Sequence, residues 1–226
     1  MSGKRFLSLG LLGLLLGPPP LDAEQVGYAA RVIRSASVRK VGADWGALKQ
    51  ADPIDRDSQL RTDRASEALV FFQPHGFLYL GERTLTIVSR WLDAARGCDL
   101  PKVVVMTGDL QIFHRSSGPE EGVEARCLAI RFEAPGLKGI AEGTEIQLRA
   151  GPRLGTLVVV HQGLARIEPD RGDAVELEAG EWLLVRPDGT VAVPPTPVDT
   201  GLGPLDDSPL LDCCDFRIGP PESVFP

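Results

Sequence analysis

From Ala30 to Val193 the chain is built of short apolar-rich runs separated by turn residues. The runs include "RVIRSASVRKV", "ALVFF", "GFLYLG", "TLTIV", "KVVVM", "LQIFH", "ARCLAIRFEA", "TEIQLRA", "TLVVVH", "LARIE", "AVELE" and "EWLLVRP". Several alternate strictly. In "TEIQLR" Thr144, Ile146 and Leu148 share one side, and Glu145, Gln147 and Arg149 share the other. "AVELE" sets Val175 and Leu177 against Glu176 and Glu178 in the same way. A two-residue period marks a strand with one solvated face. "TLVVVH" is apolar at both phases, which predicts a central strand covered on both sides. Turn chemistry lies between runs, as in "QPHG" at 73–76, "PDRGD" at 169–173 and "RPDG" at 186–189. Strands recurring at this interval predict an all-β fold of short antiparallel strands, a sandwich or a stacked β-coil.

Helical signals are few. "ADWGALKQA" predicts one or two turns capped by Asp44, and "SRWLDAARG" predicts another with Ser89 as cap and Gly97 as stop. The stretch from Ala94 to Pro101 is a candidate sub-boundary within a β domain spanning 24–193. Beyond Pro194 the composition turns proline-rich, so residues 194–226 read as an extended tail, with "DSPLLDCC" able to form one helical turn from Ser208 and Pro209.

The N-terminus changes the picture. Lys4 and Arg5 precede an apolar stretch from Phe6 to Gly17, then Pro18 to Pro20 and the small residue Ala23. This is the pattern of a signal peptide over residues 1–23, and the apolar stretch is short for a membrane span. An exported chain, periplasmic or secreted, is expected. The full chain has 24 Lys and Arg against 31 Asp and Glu. Removing Lys4, Arg5 and Asp22 leaves 22 against 30, a net charge of −8 that disfavours nucleic acid and anionic lipid as partners. Cys98, Cys127, Cys213 and Cys214 are an even set, and in an exported protein they suggest a disulfide, with the tail tied back to Cys98 or Cys127. Neighbouring cysteines such as Cys213 and Cys214 bridge each other only with strain.

Little in the sequence points to catalysis. His75, His114 and His161 are too widely spaced for a local metal motif, and no metal ligand set or cofactor is assigned. Asp52, Asp55 and Asp57 in "DPIDRD" lack the glycine and terminal glutamate of a calcium loop and read as a polar turn. Arg171, Gly172 and Asp173 also read as a turn. No GxSxG elbow, paired-carboxylate frame or phosphate-binding glycine loop is present, so no catalytic residue is assigned. Trp45 and Trp182 are expected to pack at the core or its rim.

The ordered motifs resemble the FecR-type periplasmic domains over about Arg31 to Gly189. "VRKVGADWGALKQADPIDRDSQLRTDRASEALVFF" resembles the opening of that family, with its tryptophan, "GDPI"-like turn and "LRT" step. "FLYLGERTLTIV" and "TGDLQIF" resemble the following strands. "RFEAPGLKGIAEGTEIQL" and "TLVVVHQGLARIE…VELEAGEWLLVRPDG" resemble the close. Ala134, Glu142 and Ile146 stand where the family usually has threonine, arginine and phenylalanine. In the best-known members this domain follows a cytoplasmic sigma-regulating segment and a membrane helix, and receives a signal from an outer-membrane transporter. Here a signal peptide stands in their place. The resemblance therefore implies a stand-alone exported module, not an enzyme, that binds another envelope protein or itself in signalling or assembly. A structural subunit of an envelope machine or appendage is the first rival. A carbohydrate or ligand binder is the second, and it ranks lower because few aromatics are expected to be exposed on one sheet face. Loop-borne additions on a β scaffold carry specificity, which makes Arg90, Trp91, Leu92 and Arg96, in the segment where the resemblance is weakest, the candidate partner contacts.

Overall fold

A computed structural model describes residues 25–72, 76–95, 97–114 and 129–197. The described residues are all-β and contain no helix. In chain order the strands are β1 (Gln25–Ile33), β2 (Ala36–Arg39), β3 (Gly46–Ala47), β4 (Pro53–Asp55) and β5 (Ser58–Thr62). Next come β6 (Glu67–Phe72), β7 (Gly76–Leu80), β8 (Leu85–Asp93), β9 (Cys98–His114) and β10 (Ala129–Ala134). The last are β11 (Leu137–Gly151), β12 (Gly155–Pro169), β13 (Val175–Glu178), β14 (Glu181–Val185) and β15 (Val191–Pro197).

All fifteen strands belong to one hydrogen-bonded ladder, which doubles over into two facing layers. The first layer runs β4-β1-β6-β7, then the second halves of β9 and β11, the first half of β12, β14 and β15. The second runs β3-β2-β5-β8, then the first half of β9, β10, the first half of β11, the second half of β12, and β13. Nearly every pairing is antiparallel; β9 with β10 is parallel. Three long strands, β9, β11 and β12, therefore belong to both layers. β9 leaves β10 after Val104 and meets β11 at Gly108, where φ is +104°. β12 crosses at Gly163 (φ +83°), opposite a register shift in β11 between Glu142 and Glu145.

The alternating pattern closes one core between the layers. Val70, Phe72, Leu78, Leu80, Leu110, Ile112, Ile146, Leu148, Val158 and Leu183 come from the first layer. Leu60, Val88, Val103, Ile130, Phe132, Ala165, Ile167 and Leu177 meet them from the second. Ile146 and Leu148 are buried as their phase predicts, while Glu176 and Glu178 flank buried Leu177 on the solvent side. "TLVVV" is buried at every position from Thr156 to Val160.

Both helical expectations fail. The "ADWGALKQA" stretch holds a turn and then β3, whose backbone pairs with β2. "SRWLDAARG" continues β8 to Asp93, because Trp91 and Leu92 sit opposite Leu100 and Asp99 in the β9 ladder. Ser89 donates its hydroxyl to Asp57 Oδ1 at 2.5 Å and caps nothing. Cross-strand bonds along a long hairpin outweigh a weak local helical preference. The turns after β12 and β14 lie where "PDRGD" and "RPDG" predict them; "QPHG" at 73–76 falls largely outside the described residues.

Candidate interaction face

The contacts expected from the sequence occupy the β8–β9 hairpin. Arg90 pairs with Asp99 at 3.5 Å. Trp91 is half-buried, packs against Cys98, Leu100 and Ala129, and lies under the Arg131 guanidinium at 4.4 Å. Leu92 is 63 % exposed. Arg96 lies outside the described residues. Cys98 is 2 % exposed and disulfide-bonded; Cys127, Cys213 and Cys214 are outside the described residues.

The remaining chemical candidates are dispersed. Asp52 accepts the Lys49 N–H at 2.7 Å, Asp55 pairs with Lys40 at 2.7 Å, and Asp57 serves Ser89, so each carboxylate has its own partner. His114 is buried at the end of β9, His161 is exposed at the β12 crossing, and His75 is outside the described residues. Among the described residues no group of three or more His, Cys, Asp or Glu is arranged to hold a metal ion. Arg171, Gly172 and Asp173 are exposed in the turn after β12. Trp45 is half-buried between the guanidinium groups of Arg39 and Arg61, at 4.4 and 4.7 Å.

The sequence reasoning missed the outer face of the first layer. Tyr28, Phe71, Phe77 and Phe113 sit directly opposite one another on β1, β6, β7 and β9, and form one cross-strand row. Tyr28 is 38 % exposed and the phenylalanines are half-buried. The Tyr28 and Phe71 rings are 5.1 Å apart at 40°, and Phe71 and Phe77 are 5.2 Å apart at 64°. Such tilted cross-strand pairs stabilise the sheet. Among the described residues Tyr28 is the one exposed aromatic, in keeping with the expectation of few; what the sequence did not disclose is the alignment of half-buried rings beside it into one row. The available signal was that "ALVFF" and "GFLYL" are apolar in both phases, as in "TLVVV".

Beside the row the face turns polar, then apolar again. Tyr79 hydrogen-bonds Glu67; burial, followed by that neighbouring negative charge, pushes its phenol well above the usual range. Asp109 accepts from Arg149 Nη2 at 2.8 Å and from Gln147 Nε2 at 3.0 Å. Next in register come Val159 and Leu157 of β12, opposite Trp182 and Leu184 of β14. Leu157, Val159 and Trp182 form a separate buried cluster with Leu184 and Val193.

The outer face of the second layer is charged. Burial raises the Glu133 carboxyl pKa, but bonds from Lys102 at 3.0 Å and Arg131 at 3.2 Å outweigh it and hold the group below its ordinary value. An open depression of about 540 Å³ near the β9 crossing is lined by Met106, Glu133, Pro135, Lys138 and Asp170. Two of its charged groups are engaged by residues outside the lining, Lys138 by Glu168 at 3.4 Å and Glu133 by Lys102 and Arg131.

No helix among the described residues is long and apolar enough to cross a membrane. No family model matches the chain, and no curated protein matches it in sequence. Two crystal structures of a "putative anti-sigma factor" from Parabacteroides distasonis, at 1.65 and 2.50 Å resolution, superimpose on it with a TM-score of 0.47 at 10 % identity. The match covers 62 % of this chain and 59 % of theirs, so the chain spans about three-fifths of their length.

Proposed function

We propose that this protein is an exported, non-enzymatic β module of FecR type that binds another protein of the cell envelope through the outer face of its first layer. The observation that carries this reading is the aromatic row from Tyr28 to Phe113, an apolar stripe left half-open across four adjacent strands. Contiguous apolar surface of this kind favours a protein partner, and aromatic side chains give large contact area for little lost rotamer freedom. The motif order that resembles FecR-type domains supports a signalling role. Neighbouring rings lean against each other at 40° and 64°, and so offer no flat platform to a sugar ring.

Photocrosslinking in intact cells from position 77 tests the reading, followed by identification of the adduct. One dominant envelope protein is expected, lost when Tyr28 is replaced by Asp while the fold is kept. Failure to capture any protein, together with measured hydrolytic or transferase activity, would overturn it.

A further inference from the structure

Among the described residues three guanidinium groups lie over indole rings, and two of them share Trp45. Arg131, over Trp91, has its counter-charge in Glu133 at 3.2 Å. Arg39 and Arg61 have none. Arg39 Nε donates to the neutral Gln59 Oε1 at 2.7 Å, and neither guanidinium pairs with a carboxylate among the described residues. Like charges held on one indole repel each other, although the chain has 31 acidic residues against 24 basic ones from which to supply a neutralising partner. The stack also holds both groups in place with most of their donors unused, so little side-chain freedom is left to lose on binding an anion.

Register sets the pair on the outer face of the second layer. Arg39 sits opposite Gln59, and Ser37 opposite Arg61, so the two cations lie diagonally on β2 and β5, with Leu60 between Gln59 and Arg61 turned into the core. Arg61 is exposed, and Arg39 and Trp45 are half-buried. The two guanidinium carbons stand 4.4 and 4.7 Å from one ring centre, so laid end to end they are at most about 9 Å apart. Side chains two apart on an extended chain share a face at about 7 Å spacing, which falls within that reach. Next across the sheet come Leu85 and Ile87 of β8, opposite Arg61 and Gln59, and then Val104 of β9, opposite Ile87. All three are half-buried, and Met106, two residues along β9 from Val104, is 45 % exposed. A cationic pair thus adjoins an apolar strip.

We propose that this face binds an extended acidic segment of a partner protein. Two carboxylates at alternate positions accept from Arg39 and Arg61, and apolar residues further along the same side of the segment lie against Leu85, Ile87 and Met106. An extended polyanion fits less well, because past the two arginines it meets a chain of net charge −7, whereas a short segment stays within the roughly 8 Å over which exposed charges act at physiological salt. The site lies on the layer opposite the aromatic row, so the module has one face for each of two contacts.

The test follows fluorescence anisotropy of a rhodamine-labelled peptide, Glu-Ser-Glu-Ser-Leu-Ser-Leu, titrated with the full chain. Saturable binding is expected, weakened about tenfold or more when both Glu are replaced by Gln in the peptide, or by Arg61→Gln in the protein. Arg61→Glu should abolish it. No binding of the acidic peptide, equal binding of the two peptides, or undiminished binding to the Arg61→Glu protein would overturn the proposal. So would tighter binding of heparin or of phosphatidylglycerol vesicles that Arg61→Glu removes, since the face would then belong to a polyanion. Should a variant misfold, the comparison of the two peptides on the unmutated protein decides alone.

Discussion

Replacing Gly163 with Ala tests how β12 passes between the layers. Gly163 has φ +83°, and an added β-carbon would stand 2.6 Å from the Gly143 carbonyl oxygen, 2.6 Å from Thr144 Cγ2 and 3.0 Å from the Glu142 oxygen. A non-glycine residue in this left-handed region costs about 1–2 kcal/mol. Forcing a methyl group against backbone that has no room to retreat adds about 1–3 kcal/mol, for a total of about 2–5 kcal/mol. Gly180, at φ +85° with nothing within 4 Å of its would-be β-carbon, is the matched comparison. Gly180→Ala should lose the backbone share alone, about 1–2 kcal/mol. With a urea dependence of about 2 kcal/mol per molar, the midpoints should fall by about 1–2.5 M for Gly163→Ala and about 0.5–1 M for Gly180→Ala. Equal midpoint losses would show that the crossing is not tightly packed against Gly143 and Thr144, and would refute the reasoning.

Other perturbations reach the core and the two outer faces. Phe132→Ala removes a fully buried ring and should lower stability by about 3–5 kcal/mol in denaturant titration. Asp109→Ala takes the acceptor from Gln147 and from the largely buried Arg149, and should cost about 1.5–3 kcal/mol in the same assay. Glu133 has its folded pKa held below the ordinary carboxyl value, so it contributes stability above that value, and the contribution is lost as pH falls through the folded pKa. Glu133→Gln should therefore flatten the acid side of the stability–pH curve below about pH 4.5 and leave the alkaline side unchanged.

The architecture was legible where side-chain phase is strict. "AVELE" placed its strand and faces because one side met the core and the other met water. "TEIQLR" placed its strand and its core side, but Gln147 and Arg149 on the side expected in water are largely buried around Asp109. "TLVVV" announced its double burial through unbroken apolarity. "ALVFF" and "GFLYL" carried the same message, and only the pairing of β1, β6, β7 and β9 shows that their outward residues align into one row. Alignment between strands is a property of register, and no single strand encodes it. The helix read into "SRWLDAARG" failed for a related reason, since its local cap competed with ladder partners at 98–101 that are distant from its own periodicity. The depressed Glu133 carboxyl likewise depends on Lys102 and Arg131, which sit on two different strands.

Strands β9, β11 and β12 each pair in both layers, and this has a consequence for error correction during folding. Sliding a strand by one residue turns its apolar set outward. A slip of β12 against β11 in the first layer would expel Val158 and Val160 from the core. The slack would have to be taken up at the crossing, where Gly163 already rests against the carbonyls of Glu142 and Gly143. The mistake would then pass into the second layer and displace Ala165 and Ile167 as well. Because "TLVVV" is apolar at both phases, the first layer alone discriminates a slip weakly, and it is the second layer, where Ala165 and Ile167 alternate with Arg166 and Glu168, that holds the register of the whole strand.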